Sequence, residues 1–569
     1  MIATRRRMLS GAAAATGLGL AARAWAAEGP VDLLFVGGPI LTMDETRPSA
    51  EAVAVRGGRI VAVGARSALE GLRGTTTRVV DLEGRPLLPG FVDAHSHLSF
   101  VGLQATVANL LPPPDGPGRS IAALQAILRA WMADNGPFVD RYRTVIGFGY
   151  DDSQLAERRH PTRDDLDQVS TELPVFLIHQ SGHFGAANSV ALQQARITAE
   201  TPDPEGGVIR RRPGSREPNG VLEEHAFFTA FGAQAMKLDE AANLGMIERG
   251  AKFYARFGYT TAQEGRASIQ NVALLKAAGA RGLLPLDVVA YPDIVSATAA
   301  ILPTRQYLDR FRVAGAKLTI DGSPQGKTAW LTQPYFKPPE GRDADYRGYP
   351  AIKPEQALAE IDKAFANGWQ LITHCNGDAA IDLLIEGVGK AEAKYGGGDR
   401  RPVLIHGQTL RRDQVAALKR LGVVPSLFPM HTFYWGDWHR ESVLGPARAE
   451  TISPTGWVLA QGMRFTTHHD APVANPDAMR VLSATVTRRT RSGRVLGPDQ
   501  RVSVETTLRA MTEWAAWQHF EEDAKGRIAP GMLADLIVLS DNPLTVDPDA
   551  LAGLKVVETY KEGRSIYRG

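Results

Sequence analysis

Eight short apolar runs recur through the middle of the chain, and most of them close on a residue able to hold a proton or a metal. They end at His95, Glu264, Tyr291, Asp321, His374, His406, Phe428 and Asp470. Several of the intervals between them have helical period. Ile381, Leu384, Ile385 and Val388 share one face after Asp378, and Val415, Leu418 and Leu421 do so after Arg411. Strand and helix alternating in this way predict an α/β chain built as a (β/α)8 barrel of the TIM type, with its chemistry at the C-terminal strand ends. A doubly wound open sheet is the competing arrangement, but no Gly-rich phosphate loop supports it.

The stretch Leu88-Pro89-Gly90-Phe91-Val92-Asp93-Ala94-His95-Ser96-His97 reads as the first of these strands. Side chains alternate along a strand, so His95 and His97 are expected on one face, and two converging imidazoles are half of a metal site. Asp93 would share that face, either orienting an imidazole or serving as a structural carboxylate at a turn. The later runs add Lys317 within Ala316–Gly322, then His374, His406, and the group His468-His469-Asp470. Strands that start apolar and end on His or Asp, several in succession, form a constellation.

The flanks read differently. Ala52 to Val63 is two apolar runs around Gly57-Gly58, a hairpin signal, and Val556 to Tyr567 folds back around Glu562-Gly563. Residues 27–85 and 526–569 are therefore expected to build one small β-sandwich domain from both chain ends, flanking a barrel over 86–525. The interval from about 100 to 255 far exceeds an ordinary connection and is expected to be an inserted subdomain over the barrel mouth.

Residues 1–26 read as a targeting segment. Arg5-Arg6-Arg7 precede a mildly apolar, Ala/Gly-rich run from Leu9 to Ala22, and Ala24-Trp25-Ala26 offers a cut before Ala27. The run is too short to span a membrane, and the arginine pair matches a twin-arginine signal. The twin-arginine export machinery is then the expected partner and the periplasm or exterior the expected location. A cytoplasmic chain with an unstructured start is the alternative. With 64 basic and 62 acidic residues nothing points to a nucleic-acid or membrane-surface partner. The lone Cys375 excludes an intrachain disulfide, and a homo-oligomer is compatible with everything above.

These motifs together resemble the amidohydrolase superfamily, within it the YtcJ-like branch that includes N-substituted formamide deformylases. The resemblance rests on Pro89 to His97, Lys317 with Asp321-Gly322-Ser323, His374 to Asp382, Asp470-Ala471-Pro472-Val473, and Gly526 to Leu536. It implies that His95 and His97 bind one divalent metal, that His374 and His406 bind a second, and that Asp470 both ligates and moves protons. Lys317 falls where relatives carry a lysine carboxylated by carbon dioxide; an uncarboxylated lysine and a single ion are the alternatives. Zinc is the expected metal, with iron, manganese or nickel suited to the same shell. The implied reaction is hydrolysis of a C–N bond in an amide, N-acyl or N-formyl group. Ester, lactone or cyclic-amide hydrolysis, deamination, and a regulatory role without catalysis are the alternatives. His183, Glu264 and His469 are the expected substrate contacts. The chain departs from the branch at Ile405, where relatives carry Glu, and at His468-His469, where they carry Gly-Ser. The segment Met430 to Trp435 is expected to be an aromatic loop.

Overall fold

A computed structural model describes residues 29–235, 238–339 and 341–569. The targeting segment expected over residues 1–26 lies outside the described residues. Among the described residues no helix is long and apolar enough to cross a membrane.

Parallel strands form the centre. β1 (Phe91–Val92), β2 (Tyr259–Ala267) and β3 (Asp287–Pro292) lie side by side, with the strand Phe311–Val313 beyond β3. β4 (Gly315–Thr319), β5 (Gln370–Cys375), β6 (Val403–His406), β7 (Val424–Leu427) and β8 (Thr466–Thr467) follow one another in chain order, every neighbouring pair parallel. A parallel bridge from Asp293 to Lys317 carries β3 onto β4. At the other side the His97 N–H donates to the Ala471 carbonyl at 2.8 Å, bringing the segments after β1 and β8 together. β5 and β6 are buried along their full length, as strands covered by helices must be.

The covering helices bury one stripe each. Ile381, Leu384 and Val388 of α5 (Asp378–Tyr395) join Val415 and Leu418 of α6 (Arg412–Arg420) in the same apolar core as Leu318 and Leu371. α1 (Leu98–Gln104), α2 (Glu240–Arg256), α3 (Ile269–Ala280) and α4 (Pro354–Ala366) precede these in the chain. Close helix contact is built in where α1 meets α2: a Cβ on Gly102 would stand 2.1 Å from the Met246 carbonyl oxygen.

The aromatic segment after β7 corrects the expectation of a loop. Met430–Trp438 is a helix, α7, with Met430, His431, Tyr434 and Trp435 all buried. A run of large apolar side chains that must be buried takes its backbone out of water as well, and a helix pairs those N–H and C=O groups internally.

The stretch read as a single strand from Leu88 is also corrected. Leu87–Pro89 belongs to another sheet, and only Phe91–Val92 enters the central one. Gly90 is the hinge: its N–H donates to the Asp535 carbonyl at 2.8 Å, and a Cβ there would meet the Thr260 side chain at 2.4 Å. His95 and His97 therefore sit beyond the strand, and strand alternation does not aim them.

Leu87–Pro89 lies between Ile40–Leu41 and Leu536–Leu539, in a six-stranded sheet that also takes Ser49–Ala50, Val556–Lys561 and Arg564–Arg568. A second sheet of four strands, all between Leu33 and Asp81, shares its core through Phe35, Val53, Leu87, Leu536 and Tyr560. Both chain ends thus contribute to one small β unit. It is fastened to the central strands by buried charge: Lys525 and Lys561 reach Asp287 Oδ2 at 2.7 and 2.6 Å, and Lys561 reaches Asp535 at 2.7 Å. Burial alone would raise the Asp287 pKa, but the two ammonium groups hold it below the usual carboxylate range.

Between α1 and α2 the chain builds a six-stranded sheet of its own. Its order is Gly207–Arg211, Pro218–Glu224, Phe184–Ala187, Val175–His179, Val145–Tyr150 and Ala108–Asn109.

Candidate metal centre

Asp93 shapes the turn after β1. Its Oδ1 accepts the His95 N–H at 3.1 Å, its Oδ2 accepts the Gln263 N–H at 2.9 Å, and the Ser96 hydroxyl donates to it as well. It therefore orients backbone, and another residue orients the imidazole. The Gln263 side chain donates its Nε2 to the Ala94 carbonyl at 2.8 Å, which turns Oε1 toward His95 Nδ1 at 2.7 Å. An acceptor at Nδ1 fixes the proton there, so Nε2 presents a lone pair.

That lone pair meets Asp470 Oδ1 at 3.5 Å, and His97 Nε2 lies 3.3 Å from the same oxygen. Asp470 Oδ1 is buried and has no hydrogen-bond donor. The His95 lone pair and a carboxylate oxygen facing one another repel unless a cation stands between them. His95, His97 and Asp470 have their ligand atoms within 4.8 Å of one another, and a borderline-soft divalent ion suits this donor set. Lys317 Nζ is 3.1 Å from His95 Nε2. Burial lowers its pKa to about 7, against the pull of Asp470, so a large fraction of the amine is neutral near that pH.

The second pair is built similarly. His406 Nε2 faces His374 Nδ1 at 3.1 Å, and Asp470 Oδ2 lies 3.9 Å from His406 Nε2. His374 Nε2 lies between the Gly322 carbonyl at 3.2 Å and the Asn376 amide nitrogen at 3.1 Å, which leaves Nδ1 on the side of His406. Burial, first of all, lowers the pKa of His95, His374 and His406 well below the ordinary histidine value, which keeps the imidazoles in the neutral form metals require. His406 and Asp470 are held at φ 75° and 52°, in the left-handed region that residues other than glycine seldom adopt. The tight turns out of β6 and β8 are what bring these side chains inward.

A cavity of about 110 Å³ opens onto this group. His97, Lys317, His374, His406 and Asp470 form its floor, and His183 and Glu264 its polar wall. Phe100, Phe148, Phe228 and Val473 make the apolar wall. His183 is held by Glu224, which takes Nδ1 at 2.7 Å and is fixed in turn by the Thr328 hydroxyl at 2.7 Å. Glu264 accepts the Ser99 N–H at 2.8 Å.

His469 does not reach the cavity, contrary to its reading as a substrate contact. It is fully buried behind the site, between the rings of Tyr254 and Tyr259, and its Nδ1 accepts the Ala471 N–H at 3.0 Å. The residue beside it faces inward. His468 Nε2 meets His406 Nδ1 at 3.1 Å, and the Ser426 hydroxyl closes the chain at 3.0 Å on His468 Nδ1. His468–Asp470 follow β8 and are outside the strand, so it is the turn that sets His468 toward His406 and His469 toward Tyr254 and Tyr259. Gln263 and Glu224, the partners that orient His95 and His183, carry no comparable signal in the sequence.

A second group, Asp151, Asp152 and His179, also gathers within metal-ligand spacing. Here the carboxylates have protein donors. Trp435 Nε1 donates to Asp151 Oδ2 at 2.6 Å, the Ser153 N–H donates to Asp151 Oδ1 at 2.9 Å, and His179 Nε2 is 3.1 Å from Asp152 Oδ1. The group is an ion cluster within the inserted sheet, tied to α7 by the Trp435 indole. Burial opposes the charged form of His179, but Asp151 and Asp152 outweigh it and raise its pKa to about 9. A raised pKa means stability fully present below pH 6.5 and lost as pH climbs through 9. His179→Asn should therefore cost about 3 kcal/mol at pH 6 and much less at pH 10; equal losses in denaturant melts at both values would contradict the charged cluster.

Positioning by Gln263 is testable separately. Gln263→Met keeps the volume and removes the acceptor that fixes the His95 tautomer, so metal affinity should drop about 10- to 100-fold in chelator competition. Unchanged affinity would mean that the tautomer is set elsewhere.

The Amidohydrolase family profile matches residues 78–567, and the chain belongs to that family. An N-substituted formamide deformylase of Arthrobacter pascens is 26% identical over 551 residues, covering 94% of this chain and 97% of its own. The YtcJ protein of Bacillus subtilis is 27% identical over 546 residues, with 94% and 99% covered. Among solved structures, an uncharacterized metal-dependent hydrolase of Pyrococcus horikoshii matches with a TM-score of 0.71 at 23% identity, over 91% of this chain and 99% of that one.

Proposed function

We propose that this chain is a metal-dependent hydrolase that cleaves the C–N bond of a small N-acyl or N-formyl amide. The observation that carries the reading is the orphaned, buried Asp470 Oδ1 facing the lone pair of His95, whose tautomer Gln263 fixes. His95, His97 and Asp470 would hold one divalent ion, with zinc favoured by the donor set, and His374 and His406 a second. An ion there supplies a nucleophile from water at neutral pH and polarises the scissile carbonyl. Lys317, buried beside His95 with an amine that is readily neutral, would bridge the two positions once carboxylated.

The remaining work falls to the side chains. Asp470 takes the proton of the attacking water and returns it to the leaving nitrogen. His183, with Nδ1 held by Glu224, turns Nε2 to the substrate as an acceptor for an N–H or O–H. The phenylalanines take the apolar body of the acyl or amine group. The parallel strands are read as a closed (β/α)8 barrel over 86–525 and the facing terminal sheets as a β-sandwich. Residues 1–26 are read as a twin-arginine signal that delivers the folded protein to the periplasm or exterior.

The test is turnover of a panel of N-formyl, N-acetyl and longer N-acyl amines, with esters and lactones alongside. The protein would run from Ala27 and be assayed zinc-loaded and after chelation. Chelator-sensitive amine release from one subset is the expected result. No amide turnover from metal-loaded protein would overturn the reading and point to esters, lactones or deamination.

A further inference from the structure

One wall of the cavity carries hydrogen-bond donors that the proposed hydrolysis leaves unused. Arg266, at the end of β2, and Asn271, in the first turn of α3, both line it. Arg266 spends only Nε on protein, donating to Asp293 Oδ2 at 3.0 Å. Asp293 is fixed in its turn, its Oδ1 accepting the N–H groups of Val295 and Ser296 at 3.0 and 2.9 Å and the Ser296 hydroxyl at 3.0 Å. The guanidinium lies over the ring of Phe228 at 5.0 Å. Among the described residues its two terminal amino groups have no acceptor. Asn271 is oriented by the helix cap: the Ser268 hydroxyl accepts its N–H at 3.0 Å, and its Oδ1 accepts from the Ser268 N–H. With Oδ1 turned to Ser268, the Nδ2 amide group is also left without an acceptor among the described residues.

We propose that Arg266 and Asn271 are the carboxylate-binding end of the cavity, so that the preferred substrate is an acylated amine bearing a carboxylate, as an N-acyl amino acid does. This rests on the hydrolase reading above. A guanidinium held sideways through Nε presents its terminal fork, the geometry that pairs with both oxygens of a carboxylate. The Arg266–Asp293 pair is neutral in sum, so recognition comes from directed donors in a confined apolar setting. Phe228 stiffens the fork from one face and would meet the substrate side chain from the other.

Three matched compounds test it: N-formylphenylalanine, its carboxamide, and N-formylphenethylamine, which lacks the group altogether. The zinc-loaded enzyme should favour the acid over both neutral compounds by about 10- to 100-fold in kcat/KM, chiefly through KM. Arg266→Met should collapse that ratio toward unity, and Arg266→Lys should recover only part of it. Asn271→Asp keeps the helix cap but sets a carboxylate against the ligand, and should lower the ratio with an unchanged melting temperature. Equal turnover of acid and carboxamide by the parent enzyme, or a ratio untouched by both substitutions, would overturn the proposal and leave the hydrolase reading standing. Should none of the three turn over, calorimetric binding of the same compounds decides: preference for the acid lost in Arg266→Met supports the site, and equal or absent binding rejects it.

Discussion

Asp470→Asn should lower kcat by about 10³-fold while the protein stays folded. Asparagine keeps the shape of the side chain and tolerates the left-handed backbone at this position, where φ is 52°. What it removes is the anionic oxygen facing His95 and His97 and the base that takes a proton from water. The loss should appear in kcat more than in KM, because the group acts on charge that develops during reaction. Zinc content measured alongside separates its two roles: turnover lost at full zinc occupancy indicates proton transfer, and zinc lost in parallel indicates ligation. Retention of more than a tenth of the parent turnover would remove Asp470 from the chemistry.

Removing the metal should take turnover to background and destabilise the fold by several kcal/mol. The reason is the same unpaired oxygen. With a cation present, Asp470 Oδ1 is compensated; without one, a buried carboxylate lies 3.5 Å from the His95 lone pair and 3.3 Å from His97 Nε2. This gives a crossed expectation that simple loss of activity does not. In zinc-loaded protein Asp470→Asn should lower the melting temperature, and in chelated protein it should raise it, because the substitution deletes a buried charge that a partly neutral Lys317 balances only in part. Re-addition of zinc should restore the parent and leave the variant largely unchanged. Melting curves of both proteins in both states check it, and shifts of the same sign in the two states would mean that no cation belongs at this position.

The repeated run-then-histidine pattern singles out His95, His97, His374, His406 and Asp470, and the fold gathers them because each lies at or just past the end of a buried strand. What the pattern missed has physical causes. The apolar run from Leu88 looks continuous, yet Gly90 divides it between two sheets, since Leu87–Pro89 pairs with a strand near the other chain end. Apolar periodicity reports burial and is silent on which partner does the burying. His468 and His469 are equivalent as letters, and only the course of the turn after β8 separates them. Glu224, Gln263 and Asn271 act through hydrogen bonds to residues that the fold brings close. A glutamine beside a buried histidine has no mark in a single sequence that tells it from any other strand glutamine.

The pairing of Pro89 with Leu536 has a temporal meaning. These residues are roughly 450 positions apart, so at ordinary synthesis rates between about 20 and 90 s separate the appearance of one from the appearance of the other. Throughout that interval the edge of Leu87–Pro89 has no partner, and neither does the half of the small core that Leu536 and Tyr560 complete. The segment from Leu536 onward is thus the one that seals Leu87–Pro89. A ribosome-stalled or C-terminally clipped chain would keep an open sheet edge beside finished central strands, a form that proteases and chaperones can distinguish from the complete molecule.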